Sequence, residues 1–275
     1  MNLNTVSSPH RWRHAHRAAL ASAAALFALT ACGAPGPGTG GATTATGTAG
    51  DRRASGTRAG EDAKPRRLLW MGDSIATAQA PALDAAMKAG GARFASMAAI
   101  GGGGVIGGIA ASTWQKLPHE LRSFTPDVVA YQITTYDWGT LAEQRAGYER
   151  LARTVHEAGA DLLIVSAPPF KVDDFYKPHA EAIRTAPEAA AQVAHRHPAT
   201  VRFLDASALW GTDAAAGKAQ RSKDGIHSCQ QGSAAFAAWF ARQVHRRYGF
   251  TPAPVDQWAT GSWTGDKVYA SLGCR

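Results

Sequence analysis

Five short apolar runs, at residues 67–71, 93–100, 127–134, 161–167 and 201–205, recur along this chain with helix-like stretches between them. Within each run the apolar residues are near-continuous rather than alternating, the pattern of strands covered on both faces. Segments 80–89, 141–158 and 178–195 read as helices between the strands. Regular alternation of this kind restricts a chain to a parallel sheet with helices on both sides and a site at the carboxyl ends of the strands. The expected fold is therefore α/β, a three-layer α/β/α sandwich around a central parallel sheet of about five strands. A last helix at 232–247 puts Phe236, Trp239, Phe240 and Val244 on one face. After Gly249, the spacing of Pro252, Pro254, Gly261 and Gly265 predicts an irregular tail.

The chain of 275 residues, 45% of them hydrophobic, can bury one sizeable core and is too short for two full enzyme domains. That domain is expected over 67–275. Before it, Arg11, Arg13 and Arg17 precede an uncharged run from Ala18 to Ala31, the layout of a signal peptide over 1–31 and too short for a comfortable membrane span. The run ends in Leu29-Thr30-Ala31-Cys32, which resembles the bacterial lipobox. That resemblance implies that Cys32 is acylated and anchors the protein to the outer face of the cell membrane; an ordinary signal peptide and secretion is the alternative. Residues 32–66, rich in Gly, Ala, Thr and Pro, cannot bury enough apolar surface to order themselves and read as a tether.

The formal charge is +8, and removal of the three leader arginines leaves +5. Lys and Arg are spread along the chain rather than clustered with aromatics, which argues against a nucleic-acid partner. Beyond Cys32 the remaining cysteines are Cys229 and Cys274. In an oxidising compartment such a pair is expected as one disulfide, two free buried thiols being the alternative.

Two motifs carry the chemistry. Gly72-Asp73-Ser74-Ile75 follows the first strand immediately, which sets a serine hydroxyl at the carboxyl edge of the sheet and its N–H near a helix start, where negative charge is stabilised. Serine is a weak nucleophile until a positioned base takes its proton. Asp224-Gly225-Ile226-His227 supplies base and orienter together, because a three-residue spacing lets Asp224 fold back onto one ring nitrogen while the other faces the serine.

These motifs, in this order and in this context of strand and helix, resemble two blocks of the SGNH (GDSL-like) hydrolase family over most of residues 67–248. The resemblance implies a flavodoxin-like sandwich and a serine esterase or deacylase with Ser74, Asp224 and His227 as its catalytic residues. It also implies an oxyanion hole made of the Ser74 N–H, a glycine N–H after the second strand, matched by Gly102, and a side chain at the end of the third strand. In the family that side chain is an asparagine in Gly-x-Asn-Asp; here the stretch reads Thr134-Thr135-Tyr136-Asp137, so Tyr136 stands in its place, with Thr135 as a second candidate donor. Asp137-Trp138 looks like the pattern of acyltransferase-associated SGNH domains, which keeps acyl transfer open, and the missing asparagine keeps a catalytically silent binding protein open.

The implied mechanism uses no metal and no organic cofactor. Expected substrates are ester-bearing small molecules, lipids or acylated glycans. The run 102–107 satisfies G-x-G-x-x-G, but it follows the second strand in a stretch where glycine matches are cheap. His195 and His197 have ligand-like spacing but read as a solvated helix end beside Arg196. Trp114, Trp138 and Trp210 are candidates for a sugar-stacking floor, against the commoner role of tryptophan in a core.

Overall fold

The computed structural model describes residues 66–274; the expected signal peptide, Cys32 and almost all of the expected tether lie outside the described residues. The five runs form strands β1 (Arg67–Met71), β2 (Arg93–Ser96), β3 (Val128–Gln132), β4 (Asp161–Val165) and β5 (Val201–Leu204). All pair in parallel, in the order β2-β1-β3-β4-β5. The sheet is covered by helices α1 (Ser74–Ala89), α2 (Ala111–Phe124), α3 (Leu141–Glu157), α4 (Ala180–Arg196) and α6 (Gln230–Tyr248), with short helices α5 (Ser207–Trp210) and α7 (Lys267–Ser271). The architecture is the expected three-layer sandwich.

The continuous apolar runs are explained by the two-residue strand period. Leu68 and Trp70 of β1, Val128 and Ala130 of β3, and Leu163 and Val165 of β4 enter one core with Leu83 of α1 and Phe236 and Phe240 of α6. The residues between them, Leu69, Met71, Val129, Tyr131, Leu162 and Ile164, enter a second core with Leu117 of α2, Tyr148 and Leu151 of α3 and Val193 of α4. Both faces of the three central strands are thus covered, which is why their apolar residues run on without alternation.

After β1 the chain first adds β2 on one side and then returns to build β3, β4 and β5 on the other. The strand order reverses between β1 and β3, where a crevice opens beyond the carboxyl ends. Ser74 stands at the end of β1 and Tyr136 just beyond the end of β3, so both face this crevice.

Two expectations about elements need correction. Helix α1 starts six residues earlier than the apolar pattern indicates, because the Asp73 side chain caps it by accepting the Ile75 N–H. The tail after Gly249 is not wholly irregular: Asp266 caps the short α7, whose Tyr269 is buried. The tail is tied back by the expected disulfide, Cys229–Cys274, with Cα atoms 5.6 Å apart. Closing a loop between cysteines 45 positions apart in sequence contributes about 3 to 4 kcal/mol in the chain-entropy account.

Candidate active site

The turn that carries Ser74 is built around two neighbours. Gly72 has φ +147°, and a Cβ there would lie 2.6 Å from the Ala76 Cβ and 3.2 Å from the Gln132 carbonyl, so only glycine fits between α1 and β3. Asp73 is 1% exposed. One of its oxygens accepts the Ile75 N–H at 2.9 Å; the other accepts the Thr135 N–H at 2.7 Å and the Thr135 hydroxyl at 2.9 Å. Burial raises the Asp73 carboxyl above its usual range, against the pull of these hydrogen bonds and of His227. Ser74 follows as the first residue of α1.

The histidine comes from the segment just before α6. Arg221 and Ser228 form an antiparallel bridge, and the Ser222 N–H donates to the His227 carbonyl at 2.7 Å. At the tip, Gly225 takes φ +75° and its carbonyl accepts the Lys171 N–H at 2.8 Å, which fixes the loop against the β4–α4 connection.

Within this loop Asp224 holds His227 twice. Its Oδ1 accepts the His227 N–H at 3.0 Å, the Ile226 N–H at 2.7 Å and the Ser222 hydroxyl at 2.7 Å. Its Oδ2 lies 2.7 Å from His227 Nδ1, and His227 Nε2 lies 2.8 Å from Ser74 Oγ. Partial burial pushes the Asp224 carboxyl up, but the hydrogen bonds from His227, Ser222 and the two N–H groups outweigh it and hold the group at about 2. An ionised carboxylate can only accept, so Nδ1 carries the proton and the Nε2 lone pair of neutral His227 faces the serine hydroxyl.

In the glycine loop, Gly102, the expected donor, and its neighbour Gly103 differ in what they touch. The Gly102 N–H donates to the Ala99 carbonyl at 3.3 Å, so it is already engaged. Gly103, at φ +80°, is the residue pressed onto the nucleophile turn: a Cβ there would lie 1.9 Å from the Gly72 carbonyl oxygen. Among the described residues the N–H groups of Ser74 and Gly103 have no protein acceptor. A Gly-rich run lets the sequence locate the loop but not which of its adjacent glycines touches the turn.

Thr135, the other candidate donor, spends both its N–H and its hydroxyl on Asp73. Tyr136 is half-buried, its ring in an aromatic wall with Trp138 at 5.5 Å and Phe175 and Tyr176 each at 6.4 Å. Tyr176 was not identified from the sequence. Burial, partly offset by Thr135, combines with Tyr136 and Asp73 to push its phenol up to about 12. The only sequence signal for it is the aromatic pair Phe175-Tyr176 in a loop beyond a strand end.

Of the three tryptophans considered for a stacking floor, only Trp138 is here, stacked on His179 with ring centres 3.5 Å apart. Trp210 is buried in the core, and Trp114 lies under the Arg150 guanidinium. His197 bonds Glu149 at 2.6 Å, beside the Arg196–Glu149 ion pair at the end of α4. A cavity of about 410 Å³ lies at the carboxyl ends of β3, β4 and β5, with Thr134, Ser166, Asp205 and Ser207 among its polar lining and Phe170 and Ile183 among its apolar lining.

Neither a family model nor a curated protein matches the sequence. Solved structures do match. A Bacteroides fragilis protein classed as an acylhydrolase superposes with a TM-score of 0.51 at 14% identity, covering 66% of this chain and 90% of that one. A GDSL-like lipase structure from Bacteroides ovatus superposes with a TM-score of 0.51 at 14% identity, covering 71% of this chain and 57% of that one. The fold is that of the SGNH hydrolases. On this SGNH fold the Ser74 turn follows β1 and the Asp224–His227 loop precedes α6.

A second buried carboxylate holds the rim of the SGNH crevice. Asp137, 1% exposed, accepts the Tyr131 hydroxyl at 2.5 Å, the Tyr148 hydroxyl at 3.1 Å, and the N–H groups of Thr134 and Val105, each at 3.3 Å. Burial pushes its carboxyl up to about 6 against those hydrogen bonds. The folded state therefore holds this proton more tightly than an unfolded chain, whose Asp titrates near 3.9. The resulting stability is complete below about pH 4 and is lost as pH rises through about 6. Asp137→Asn cannot ionise. The stability of the parent relative to this variant should fall by about 2 kcal/mol between pH 4 and pH 7, read from urea unfolding at both values; a difference independent of pH would contradict the assignment.

Proposed function

We propose that the protein is a serine ester hydrolase that works through an acyl-enzyme. The observation that carries this reading is the unbroken relay from Asp224 to His227 to Ser74, with links of 2.7 and 2.8 Å. His227 takes the Ser74 proton as Oγ attacks the ester carbonyl, and Asp224 stabilises the imidazolium that forms. His227 then returns the proton to the departing alcohol. Water, activated by the same imidazole, attacks the acyl-serine, and collapse of that second tetrahedral intermediate releases the acid and restores Ser74.

Negative charge on the carbonyl oxygen is assigned to the N–H groups of Ser74 and Gly103, one at the start of α1 and the other on the adjoining loop. The similarity in fold to a GDSL-like lipase and an acylhydrolase is consistent with ester cleavage. A fluorophosphonate probe should label the parent protein at Ser74, and Ser74→Ala should abolish both the label and cleavage of nitrophenyl acetate. A parent that neither reacts with the probe nor cleaves the ester is a binding protein on this fold.

Tyr136 is assigned to the wall of the crevice, because its ring is packed among Trp138, Phe175 and Tyr176. Tyr136→Phe keeps that packing and should change kcat by less than about tenfold, whereas loss of an oxyanion donor costs roughly 10²–10³. A loss of that size would move the hydroxyl into the hole.

The leader motif extends the proposal to location: a lipid on Cys32 holds the enzyme at the outer face of the cell membrane, where the substrate is an ester of the envelope. Cys32→Ser should shift the protein from the membrane fraction to the soluble fraction. Retention in the membrane would remove the anchor from the account.

A further inference from the structure

A larger groove, about 760 Å³, lies on the opposite side of β1 from the polar cavity. It runs between α1, the edge strand β2 and the C-terminal α7. Its apolar walls are Ala80 and Pro81 of α1, Phe94 and Ala95 of β2, Ile100 of the following loop and Val268 of α7. Ile100 is 75% exposed, the most exposed of the large hydrophobic side chains.

One stripe of α1 leads from the groove toward Ser74. Ser74, Thr77, Ala80, Pro81 and Asp84 follow the three- and four-residue spacing of one helix stripe, and all five are half-buried. Thr77 lines the groove one turn from Ser74. Ile100, at the other wall, is three residues before Gly103, which presses on the nucleophile turn.

Most of the polar groups in the lining already have partners. The Thr77 hydroxyl donates to the Asp73 carbonyl at 3.0 Å, and the Ser271 hydroxyl donates to the Val268 carbonyl at 2.6 Å. Ser96 Oγ accepts the Ala98 N–H, Asp84 pairs with Lys88, and Asp266 accepts the Val268 N–H as the cap of α7. Lys267 is exposed at the rim. The groove therefore has little hydrogen bonding to offer and a volume suited to a ligand buried along its length.

From this geometry we infer that the groove is the acyl subsite and takes an unbranched aliphatic chain, which makes the preferred substrate a medium- or long-chain acyl ester. The inference rests on the ester-hydrolase reading of Ser74. The stripe from Ser74 to Asp84 rises roughly 15 Å along the helix axis, room for a chain of roughly ten carbons. Each buried methylene contributes about 0.8 kcal/mol, so chain length is read strongly by such a groove. The cavity across β1, beyond the ends of β3, β4 and β5, is left to the alcohol half of the ester.

The test compares nitrophenyl acetate with nitrophenyl decanoate and measures sodium decanoate binding to the inert Ser74→Ala protein by calorimetry. The parent should prefer decanoate. Ala80→Trp, which fills the groove, and Val268→Asp, on the short outer helix, should each lower the decanoate-to-acetate ratio of kcat/KM at least tenfold. Introduced into Ser74→Ala, they should abolish decanoate binding. Equal chain-length profiles in parent and variants, or no decanoate binding by Ser74→Ala, would overturn the subsite. Absence of acetate cleavage by the parent, with decanoate binding intact and lost in the variants, would instead overturn the catalytic reading and leave the groove as a fatty-acid site.

Discussion

The buried carboxylate of Asp73 is the contact on which the rest of the crevice depends. It sits one residue before Ser74 and accepts donors from both sides of the strand-order reversal, the Ile75 N–H on α1 and the N–H and hydroxyl of Thr135 beyond β3. Without such an acceptor these donors would be buried and unpaired, at a cost of roughly 1–3 kcal/mol for each group left unsatisfied. The same bonds fix where the Ser74 N–H and hydroxyl stand relative to the end of β3. They also explain why Thr135 is unavailable to an oxyanion: both of its donors are already engaged in holding the turn.

Three aspartates divide the work by environment. Asp73 and Asp137 are dry, and burial raises both. Asp73 fixes the nucleophile turn, and Asp137 joins the glycine loop, through Val105, to the hydroxyls of Tyr131 on β3 and Tyr148 on α3. Asp224 is 36% exposed at its side chain and is pulled down to about 2 by its donors. Geometry divides them further: Asp224 alone of the three bonds the His227 ring, and its donors favour the ionised form, while the two buried carboxylates are engaged by backbone and side-chain donors of the scaffold.

The strands are legible because central strands covered on both faces carry near-continuous apolar residues, a strong local signal. The relay was legible because a strand-end serine and a three-residue Asp–His spacing each bring their partners close by geometry that is largely local. Helix α2 was not read from the pattern: only Thr113, Leu117 and Leu121 of its residues are buried, a stripe one residue wide that includes a threonine. Which glycine of the loop meets the Gly72 carbonyl is decided across space, so the run itself does not separate Gly103 from Gly102. Tyr176 belongs to a long connection whose path over the crevice is set by tertiary contacts, and the same is true of the fates of Trp114 and Trp210.

The tail after α6 gives these parts a common boundary. It leaves the helix at Gly249, buries Phe250 and Trp258 in the core shared by α1 and α6, and returns as α7 to wall the groove beside α1. Its last described residue, Cys274, is bonded to Cys229, two residues after His227. One covalent link thus joins the segment that carries the base to the segment that walls the groove. Most of α1 is fixed by packing on the sheet and α6, but the outer groove wall has little core of its own, since Tyr269 is the sole buried residue of α7. A short helix of five residues does not hold its place by propensity, so the disulfide and the Tyr269 anchor are what keep the wall alongside the stripe that starts at Ser74.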